Sequence, residues 1–579
     1  MPEAAHAGPF RTGSDWIAPD CAGMDFFASD RALRGLLRLY LPADLLAHLT
    51  PYYARLGELA GGRLDELARI ADRHPPVLHA RDRFGRDEDW IEYHPAYREM
   101  EQIAFGEFQF HAMSHRGVFG LDRPLPPVAK YAFQYLFVQG EFGLMCPVSV
   151  TDTSIHLIRK FGSNSLQDYL LPKMLSADLG SLWKGTQFIT EKAGGSDVGA
   201  IETVAHPQED GTWHLTGEKW FCSHTDADVA LMLARPAGAR SGTTGLALFA
   251  LPRRTRSGAR NAYRIVRLKD KLGTRSMASG EIRLEGAEAY LVGLQDQGLK
   301  QMMEQVNLSR LSHGVRAAAM MRRCVNEALA AARGRIAFGR SVMEHPLMRR
   351  QLMKLIVPAE QALSMAMATA DAMGRGATDE LRILTGLLKL RACRDNIAVA
   401  TGAMEVRGGN GYIEDWVNPR LIRDAQVGLL WEGTSNINAL DVIGRAVARS
   451  GAHHAFHALL QRRLEDACTL PAPFRAQLGQ MLDRAVGMAE QVAQKQAETL
   501  ARQAATGLYN AAAAVLLAWE SVQPGGDPRR ALIARFVMAH RLSARDPLAP
   551  EEQAWEATAA DLILNDRAVD RSEIMRLLG

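Results

Sequence analysis

With 579 residues, the chain is too long for a single core, and its length predicts about four domains. Hydrophobic residues make up 47% of it and charged residues 23%, which are ordinary proportions for a soluble globular protein. The net charge of +3 at pH 7 is small for this size and gives no general reason to expect a polyanionic partner.

The six cysteines are scattered and contain no Cys-x-x-Cys pair. This distribution argues against a disulfide framework and against a zinc site, and it favours a reducing compartment. The N-terminal residues lack the basic stretch and apolar run of a signal peptide. The most apolar tract, residues 511–519, is far shorter than the roughly 20 residues of a membrane span. We therefore expect a cytoplasmic protein with no metal site and no membrane span.

The first part of the chain divides into two segments. Residues 1–40 begin rich in Gly, Pro and small residues, which predicts an extended arm. Residues 41–185 have mostly helical apolar spacing, which predicts an N-terminal helical domain. Its dense aromatic residues, between Phe105 and Phe137, are expected to pack between helices in the core.

The periodicity changes twice in the rest of the chain. Short β-type runs, separated by Gly, Pro and Asp, predict an inserted β domain over residues 186–295. Helical spacing returns over residues 296–450, where Pro358 is expected to kink or break a helix. Residues 451–579 are rich in Ala, Leu and Gln and predict a further helical domain, with a break at residues 523–528. The predicted fold is mainly α-helical with one inserted β domain.

The β domain opens on the motif Ile-Thr-Glu-Lys-Ala-Gly-Gly-Ser-Asp at residues 189–197. A Gly-Gly-Ser turn offers backbone N–H groups and a hydroxyl to a phosphate or to the polar edge of a flavin. Taken alone, the same residues also form ordinary turns.

A second motif, Trp-Phe-Cys-Ser, ends a strand-like run at residues 220–223. It places large apolar side chains beside a hydroxyl that could reach a ring nitrogen, although a plain core strand would look the same. Cys222 has no basic partner close in sequence except Lys219, so we interpret it as a small buried apolar residue.

A third motif, Arg-Ile-Ala-Phe-Gly at residues 335–339, is placed where a long helix is expected to end. Arg335 could pair with a pyrophosphate and Phe338 could pack on a ring. A helix C-terminus with a favourable cation and a glycine cap is an equally good interpretation of this motif alone.

The fourth pattern joins a glycine cluster at residues 408–412 to Trp-Glu-Gly-Thr-Ser at residues 431–435. Glycines let a backbone approach a bulky cofactor closely. A carboxylate held beside that cofactor in an apolar pocket can take a proton from carbon, and Glu432 is the candidate. A glutamate before glycine is otherwise usually a solvated helix end.

In this order, the four motifs resemble the acyl-CoA dehydrogenase family of flavoproteins. The first family signature matches residues 189–197, with Phe188 where a smaller residue is usual. The second signature is matched by Glu405, Gly408, Gly409, Gly411, Tyr412, Asp415, Arg420 and Asp424. The match covers about residues 95–450. It implies an N-terminal helical domain, a middle β-barrel domain and a C-terminal four-helix bundle that together hold FAD, plus an extra C-terminal helical segment.

The resemblance implies a cofactor role for twelve residues. From the β domain, the residues implied to line the flavin are Gln187, Ile189, Thr190, Ser196, Phe221 and Ser223. From the last helical domain, those implied to contact FAD are Gly408, Gly409, Thr434 and Asn436. Arg335 and Phe338 would act on the FAD of a neighbouring subunit, so we expect a homo-oligomer, commonly a tetramer in this family.

Glu432 matches the catalytic base of the family. Some members carry the base on an earlier helix, at a position that aligns with Ser309, and serine cannot act there unaided. The resemblance implies that Glu432 removes the pro-R α-proton of an acyl-CoA thioester while the β-hydride passes to flavin N5. A flavin ribityl hydroxyl and a backbone N–H of the base would stabilise the enolate-like oxygen. Electrons would then leave to an acceptor such as an electron-transfer flavoprotein.

Further details resemble a narrower branch, the AidB-type adaptive-response proteins, over about residues 25–450. One is Thr-Glu-Lys at residues 190–192, where most acyl-CoA dehydrogenases have Pro in place of Lys. This branch implies an alternative function: a flavoprotein that binds duplex DNA, protects against alkylation and has weak dehydrogenase activity.

Binding to DNA would need a basic surface. Residues 446–579 contain 15 basic and 15 acidic side chains, a net charge of zero, which predicts weak affinity. The local pairs Arg462-Arg463 and Arg529-Arg530 are interpreted as solvated helix faces. A flavin oxidase or monooxygenase on the same fold is ranked last, because Glu432 is present.

Overall fold

The computed structural model describes residues 17–546, 548, 554–565 and 569–579 of the chain. Its N-terminal part is mainly helical. In chain order the helices are α1 (Phe26–Ser29), α2 (Arg31–Tyr40), α3 (Ala43–Gly61), α4 (Arg63–Arg73), α5 (Pro95–Glu101), α6 (Pro127–Gly140), α7 (Met145–Phe161) and α8 (Asn164–Met174). Every residue of α6 after its first is buried, so this helix lies at the centre of the N-terminal layer.

The extended arm predicted for residues 1–40 is wrong for residues 26–40, which form α1 and α2. Asp25 and Asp30 stand immediately before these helices, and their side chains accept hydrogen bonds from backbone N–H groups of the first turns. Such caps satisfy donors that a helix start leaves free. Leu33 of α2 is fully buried, so the helix packs into the core. The start of the predicted arm lies outside the described residues.

A hairpin interrupts the N-terminal helices, with strands β1 (Val77–Arg81) and β2 (Asp87–Glu92). The helical spacing of the sequence did not predict it. Asp89 is buried and accepts hydrogen bonds from Arg264 Nε at 2.9 Å and from the backbone N–H of Ile265 at 3.1 Å. These bonds cross to the β domain, so contacts distant in sequence hold the hairpin in place.

The inserted β domain contains seven described strands. They are β3 (Gly185–Phe188), β4 (Val204–Pro207), β5 (Trp213–Ser223), β6 (Val229–Pro236), β7 (Ala247–Pro252), β8 (Tyr263–Leu268) and β9 (Ser279–Val292). Six of them follow the order β3-β6-β4-β5-β9-β7, and the seventh, β8, pairs with β9. Strand β6 also pairs with β7, which closes the sheet into a barrel. The predicted β runs lie in β5, β6, β7 and β9, whereas β3, β4 and β8 were not predicted.

A buried ion pair fixes the loop that follows β3. Lys219 of β5 is fully buried, and its Nζ donates to Glu191 Oε1 at 2.6 Å and to the carbonyl of Leu233 at 2.7 Å. Glu191 also accepts from the backbone N–H groups of Glu202 and Thr203, at 2.5 and 3.2 Å. One carboxylate therefore joins the motif at residues 189–197 to two strands of the barrel.

Three long helices follow the barrel: α9 (Gly298–Gly334), α10 (Pro346–Gly374) and α11 (Thr378–Arg407). A short hairpin separates α9 from α10; its strands, β10 (Ile336–Ala337) and β11 (Arg340–Ser341), have two residues each. The three helices pack against one another. The break expected at Pro358 does not occur: this proline is buried and α10 continues through it. Packing on several sides outweighs the lost backbone hydrogen bond.

The remaining helices complete the C-terminal part. They are α12 (Asn418–Val427), α13 (Ser435–Leu440), α14 (Ala452–Asp466), α15 (Ala472–Gln494), α16 (Ala501–Val522), α17 (Arg529–Val537), α18 (Ala554–Leu564) and α19 (Arg571–Leu578). Helix α16 packs on α10 and α11, with Gln361 Nε2 donating to Asn510 Oδ1 at 3.1 Å. The predicted break between α16 and α17 is confirmed. The predicted fold class is also confirmed, while the domain boundaries stay predictions. Within the described parts of the chain, no helix has the length and apolar character to cross a membrane.

We expect Lys219→Met to lower the stability of the folded chain by about 3–5 kcal/mol, because it leaves the Glu191 carboxylate buried without its counter-ion. The matched control is Lys192→Met, which removes an exposed pair with Glu218 on the same domain and should cost less than about 1 kcal/mol. Thermal denaturation of both variants measures the difference. Equal Tm values for the two variants would contradict a structural role for the buried pair.

Candidate active site

Helix α9 carries three buried polar side chains on one face: Ser309, His313 and Arg316. Their spacings of four and three residues make them neighbours on the helix surface. Opposite this face runs the turn at residues 428–435, which connects α12 to α13. The helix and the turn together enclose the Glu432 side chain, of which only 9% is exposed.

The backbone of this turn has an uncommon conformation at the candidate base. Glu432 has a φ of 49° and Gly433 a φ of 94°, both in the left-handed region. Such a conformation in a non-glycine residue is strained and persists only where the surroundings hold it. Lys389 Nζ donates to the carbonyl of Gly428 at 2.5 Å, and Arg310 Nε donates to the carbonyl of Glu432 at 3.2 Å. Two buried cations therefore anchor the turn from α9 and α11.

Both carboxylate oxygens of Glu432 have a close neighbour on α9. Ser309 Oγ donates to Oε1 at 2.9 Å. His313 Nε2 lies 2.8 Å from Oε2. This contact is not aligned as a hydrogen bond, and the other ring nitrogen, Nδ1, also has no hydrogen-bond partner among the described residues. The carboxylate is thus held on one side by a hydroxyl and on the other by an imidazole.

The electrostatic surroundings favour the ionised form of Glu432. Burial raises the pKa of this carboxyl, but His313, Lys389 and Arg316 lower it more strongly, to about 2. Burial and the charge of Arg316 lower the pKa of His313 to about 4. At neutral pH the site therefore holds an ionised carboxylate beside a neutral imidazole, which is the protonation state that a general base needs.

Cys146 of α7 connects the surroundings of Glu432 with the β domain. Burial raises the pKa of its thiol, and its neighbours include Arg316, Glu432 and Ser223. Ser223 is one of the residues assigned to the flavin from sequence. The candidate base and the end of β5 are therefore close together, although 209 positions separate Ser223 from Glu432 in sequence.

The strands of the barrel hold most of the other predicted flavin residues. Gln187 lies on β3 and Ser223 ends β5. Thr186 Oγ1 donates to the carbonyl of Ser223 at 2.6 Å, which joins the ends of these two strands. Thr190 accepts at its carbonyl from the backbone N–H of Trp220 at 2.9 Å. Ile189, half-buried, lies between Gln187 and Thr190 in the chain.

These residues fit a flat ring with polar edges. Gln187 Oε1 is buried and has no hydrogen-bond partner among the described residues. Phe221 is an exposed aromatic ring, and Ser196 is exposed on the turn. A side chain added at Gly195 would meet only Thr190 Cγ2, at 3.5 Å, so the space above the turn is open. Lys269 Nζ lies 4.9 Å from the centroid of the Phe221 ring, which is otherwise exposed. An unpaired acceptor, an exposed aromatic ring and an open glycine turn fit a bound isoalloxazine.

The remaining predicted residues fall in two places. Thr434 and Asn436 are exposed at the start of α13, directly after the Glu432 turn. Arg335, Phe338, Gly408 and Gly409 lie elsewhere. A side chain added at Gly408 would meet Arg335 Nη1 at 3.0 Å, and Gly409 faces open space. The sequence grouped the two glycines with Thr434 and Asn436, whereas the structure groups them with Arg335.

Helix α11 shows how far the Arg335 and Gly408 group lies from the Glu432 turn. Lys389, which anchors the Glu432 turn, and Arg407, which precedes Gly408, are 18 residues apart on this helix. At 1.5 Å per residue this corresponds to roughly 27 Å. Phe338 is three residues from Arg335 and belongs to the same group, at the Arg407 end of α11. It has a φ of 53° and 97% of its surface is exposed. One chain therefore does not bring Arg335 and Phe338 to its own Glu432.

Sequence reasoning missed the residues that surround the candidate base. Arg310, His313 and Arg316 of α9 were not predicted, and neither was Lys389 of α11 or the position of Cys146 near Glu432. One signal was available for the α9 residues. Ser309 had been aligned with the alternative base position of the family, so residues one and two turns further along the same helix face belong to the same site.

Comparison with known families shows three matching domain models along the chain. Residues 17–179 match the adaptive response protein AidB N-terminal domain. Residues 186–287 match the acyl-CoA dehydrogenase middle domain, and residues 296–448 match the acyl-CoA dehydrogenase C-terminal domain.

Two relatives extend over most of the chain. The chain is 32% identical to the putative acyl-CoA dehydrogenase AidB of Escherichia coli over 462 residues, which cover 77% of this chain and 80% of that protein. It is 31% identical to acyl-CoA dehydrogenase family member 11 of Caenorhabditis elegans over 433 residues, covering 72% and 70%. The crystal structure of Caenorhabditis elegans ACDH-11 in complex with C11-CoA superposes with a TM-score of 0.83 and 25% identity, covering 94% and 95%.

The three matched domains occur in the same order as the domains of the fold. The C-terminal match contains Glu432, and the middle-domain match contains the barrel. The chain belongs to the acyl-CoA dehydrogenase family of oxidoreductases and carries an N-terminal domain of the AidB type.

Proposed function

We propose that this protein dehydrogenates an acyl-CoA thioester with FAD as cofactor and Glu432 as the base that removes the α-proton. The observation that carries the proposal is the buried carboxylate of Glu432, which lies between Ser309 and His313 in a chain of this family. A carboxylate that is buried, ionised and held in a strained turn has the features of a catalytic base.

The residues that would hold the flavin are Gln187, Ile189, Thr190, Ser196, Phe221 and Ser223, together with Thr434 and Asn436, which follow Glu432 directly in the chain. The bound flavin supplies the acceptor for the hydride that leaves the β-carbon. The polypeptide orients the thioester against it. The unpaired Gln187 Oε1 and the exposed Phe221 ring support this placement.

Proton transfer needs Glu432 to be free to turn towards its substrate. Ser309 Oγ holds Oε1 with a single hydrogen bond, and the out-of-line His313 contact restrains Oε2 only weakly. A thioester α-carbon that approaches either oxygen therefore displaces one contact at most. After the transfer, the new carboxyl O–H can donate to Ser309 Oγ, which keeps the protonated base within the site.

The substrate class is an acyl-CoA thioester, because the family match covers the helices and the barrel on both sides of Glu432. The C11-CoA complex of the Caenorhabditis elegans protein supports the same class. An electron-transfer flavoprotein stays our choice of electron acceptor, on the resemblance to the family. A cytoplasmic location also stays a proposal, and it is consistent with thiols that are free in the described structure.

Assembly of two or more chains would complete the site. Phe338 is exposed and Arg335 lies beside Gly408, at the end of α11 that is roughly 27 Å along the helix from Lys389 and the Glu432 turn. They are therefore free to reach the FAD of a neighbouring subunit. This supports the homo-oligomer, of which a tetramer is the expected form.

Most of the arginines that the sequence offers for the alternative function, binding of duplex DNA, make contacts within the fold. Arg529 and Arg530 are buried rather than solvated, which corrects the interpretation from sequence. Arg530 pairs with Glu360 at 2.7 Å and with Glu520 at 2.7 Å. Arg463 stacks on Trp519, with its guanidinium carbon 3.7 Å from the ring centroid. Arg529, Arg530 and Arg463 are thus engaged within the fold, whereas Arg462 stays exposed, 3.6 Å from Glu380. One exposed arginine of the two pairs does not make a basic surface, so dehydrogenation is the better-supported proposal.

We expect Glu432→Gln to slow the anaerobic bleaching of the flavin by an acyl-CoA at least about a hundredfold, because the amide cannot accept the α-proton. FAD content should stay unchanged. Stopped-flow absorbance of the holoenzyme measures the rate with a panel of straight and branched thioesters. The control is Glu304→Gln, at a partly exposed glutamate on the same helix as Ser309 that pairs with Lys160. If no thioester of the panel bleaches the wild-type flavin, dehydrogenation is not the activity.

The pH dependence tests the role of His313. Glu432 is the base in its ionised form, and its lowered pKa keeps it ionised from pH 5 to 8, so the bleaching rate should be flat over this range. His313→Leu removes a contact that lowers this pKa, and burial then raises it. The rate of this variant should therefore fall as the pH decreases towards 5. His453→Leu, at a buried histidine of α14, is the control and should keep the flat profile. Identical profiles for both variants would show that His313 does not act on the base.

FAD retention tests the role of the second subunit. We expect Arg335→Ala and Phe338→Ala to lose FAD and to dissociate into smaller species together, because each removes a contact to the neighbouring subunit's cofactor. Sedimentation velocity with detection at the flavin wavelength measures both effects at once. Arg340→Ala, at an exposed arginine on the next strand of the same hairpin, is the matched control. A monomer that carries a full complement of FAD would contradict the shared site.

A further inference from the structure

Arg316 is a buried arginine without a partner for much of its guanidinium group. Only 1% of the residue is exposed. Its Nε and Nη1 have no hydrogen-bond partner, and no carboxylate of the described residues lies within ion-pair distance of it. An unpaired charge in the interior is strongly unfavourable, and proteins keep one where a ligand supplies the missing partner.

The other buried arginines of α9 show that this is specific to Arg316. Arg310 pairs with Asp441 at 2.9 Å. Arg323 pairs with Asp65 at 2.9 Å and with Glu327 at 3.0 Å. Arg322 pairs with Asp30 at 3.2 Å and also with Glu360. Each of these guanidinium groups meets at least one carboxylate of the fold, whereas Arg316 meets none.

Arg316 lies beside the candidate base and not in a remote part of the core. Its neighbours include Cys146, Glu432 and Cys393. Its guanidinium carbon lies 5.5 Å from the Phe142 ring centroid and 6.0 Å from that of Trp431. On α9 it is three residues beyond His313, a rise of roughly 4.5 Å along the helix. An acyl group whose α-carbon met Glu432 could therefore reach Arg316 with its distal end.

The charges around this position leave a place for one more anion. Lys389 and Arg316 both lower the pKa of Glu432, and Glu432 is the one carboxylate among the groups that act on Arg316, the other two being Cys146 and Cys393. Burial raises the pKa of the Cys146 and Cys393 thiols, which keeps both neutral. Within this group of buried side chains, the cations exceed the anions by one. A ligand with a single negative charge would neutralise the cluster.

We propose that Arg316 binds a carboxylate at the distal end of the acyl group, so that the site takes short dicarboxylic acyl-CoA thioesters in preference to fatty acyl thioesters. This inference rests on the proposed function. A carboxylate matches the planar fork of a guanidinium and can satisfy both unpaired N–H positions at once. A methyl-terminated chain would leave them unsatisfied and would place apolar groups against a buried charge.

The test compares glutaryl-CoA with pentanoyl-CoA, which share a chain length and differ in the terminal carboxylate. Equilibrium titration of the FAD-loaded protein, followed by the flavin spectrum, gives a Kd for each thioester. We expect glutaryl-CoA to bind at least about tenfold more tightly to the wild type. Arg316→Met should reverse this preference, and Arg316→Lys should restore part of it because the positive charge returns.

Thermal denaturation separates a binding role from a structural one. Arg316→Met removes an unpaired charge, so its Tm should equal or exceed that of the wild type. Arg322→Met is the matched control on the same helix. It leaves Asp30 and Glu360 buried without their cation and should lower the Tm. A large loss of Tm in Arg316→Met would show that the arginine stabilises the fold, which would overturn the proposal.

The binding outcomes also distinguish this inference from the proposed function. If pentanoyl-CoA bleaches the flavin and glutaryl-CoA has no Arg316-dependent advantage, the subsite is wrong and the dehydrogenase stands. If neither thioester bleaches the flavin but glutaryl-CoA binds with an Arg316-dependent preference, the subsite stands and the dehydrogenase is wrong. If Arg316→Met shifts the reduction potential of the flavin and leaves both Kd values unchanged, Arg316 acts on the cofactor and the proposal is wrong.

Discussion

The structure depends on the burial of one carboxylate, that of Glu432, between α9 and a strained turn. Ionising a carboxyl in the interior is unfavourable unless nearby groups stabilise the charge. The chain meets this requirement with residues from two long helices: Ser309 and His313 from α9, and Lys389 from α11. The helices must therefore pack in one register, and the left-handed backbone at Glu432 is held by that packing.

The same constraint explains how the rest of the site is distributed. Residues that serve the reacting atoms gather where the barrel, α7 and α9 meet, with Cys146 between Ser223 and Glu432. Residues at the far end of the long helices, such as Arg335 and Gly408, are too distant to contribute to the same site from one chain. Long rigid helices thus fix the candidate base and at the same time separate it from Arg335 and Gly408, so the proposed action of these residues on FAD requires a second subunit.

The sequence predicted the elements whose signals are local. Four of the seven barrel strands, the end of α9 before Arg335 and the motif around Glu432 depend on neighbouring residues, and the sequence indicates them. What it could not predict depends on contacts distant in sequence. The sequence places Arg530 on a solvated helix face, but the residue is buried and pairs with Glu360, which is 170 positions earlier in the chain. The same applies to His313 at the candidate base and to Pro358, where surrounding helices outweigh a local breaker.

Exchange of the substrate α-proton with solvent tests the central claim most directly, because it reports on Glu432 without requiring the hydride step. The holoenzyme would be incubated anaerobically in D₂O with acyl-CoA thioesters, and deuterium at the α-carbon followed by NMR. The account predicts exchange with the wild type and its loss in Glu432→Gln. Exchange at the wild-type rate in Glu432→Gln would show that another group removes the proton and would contradict the assignment.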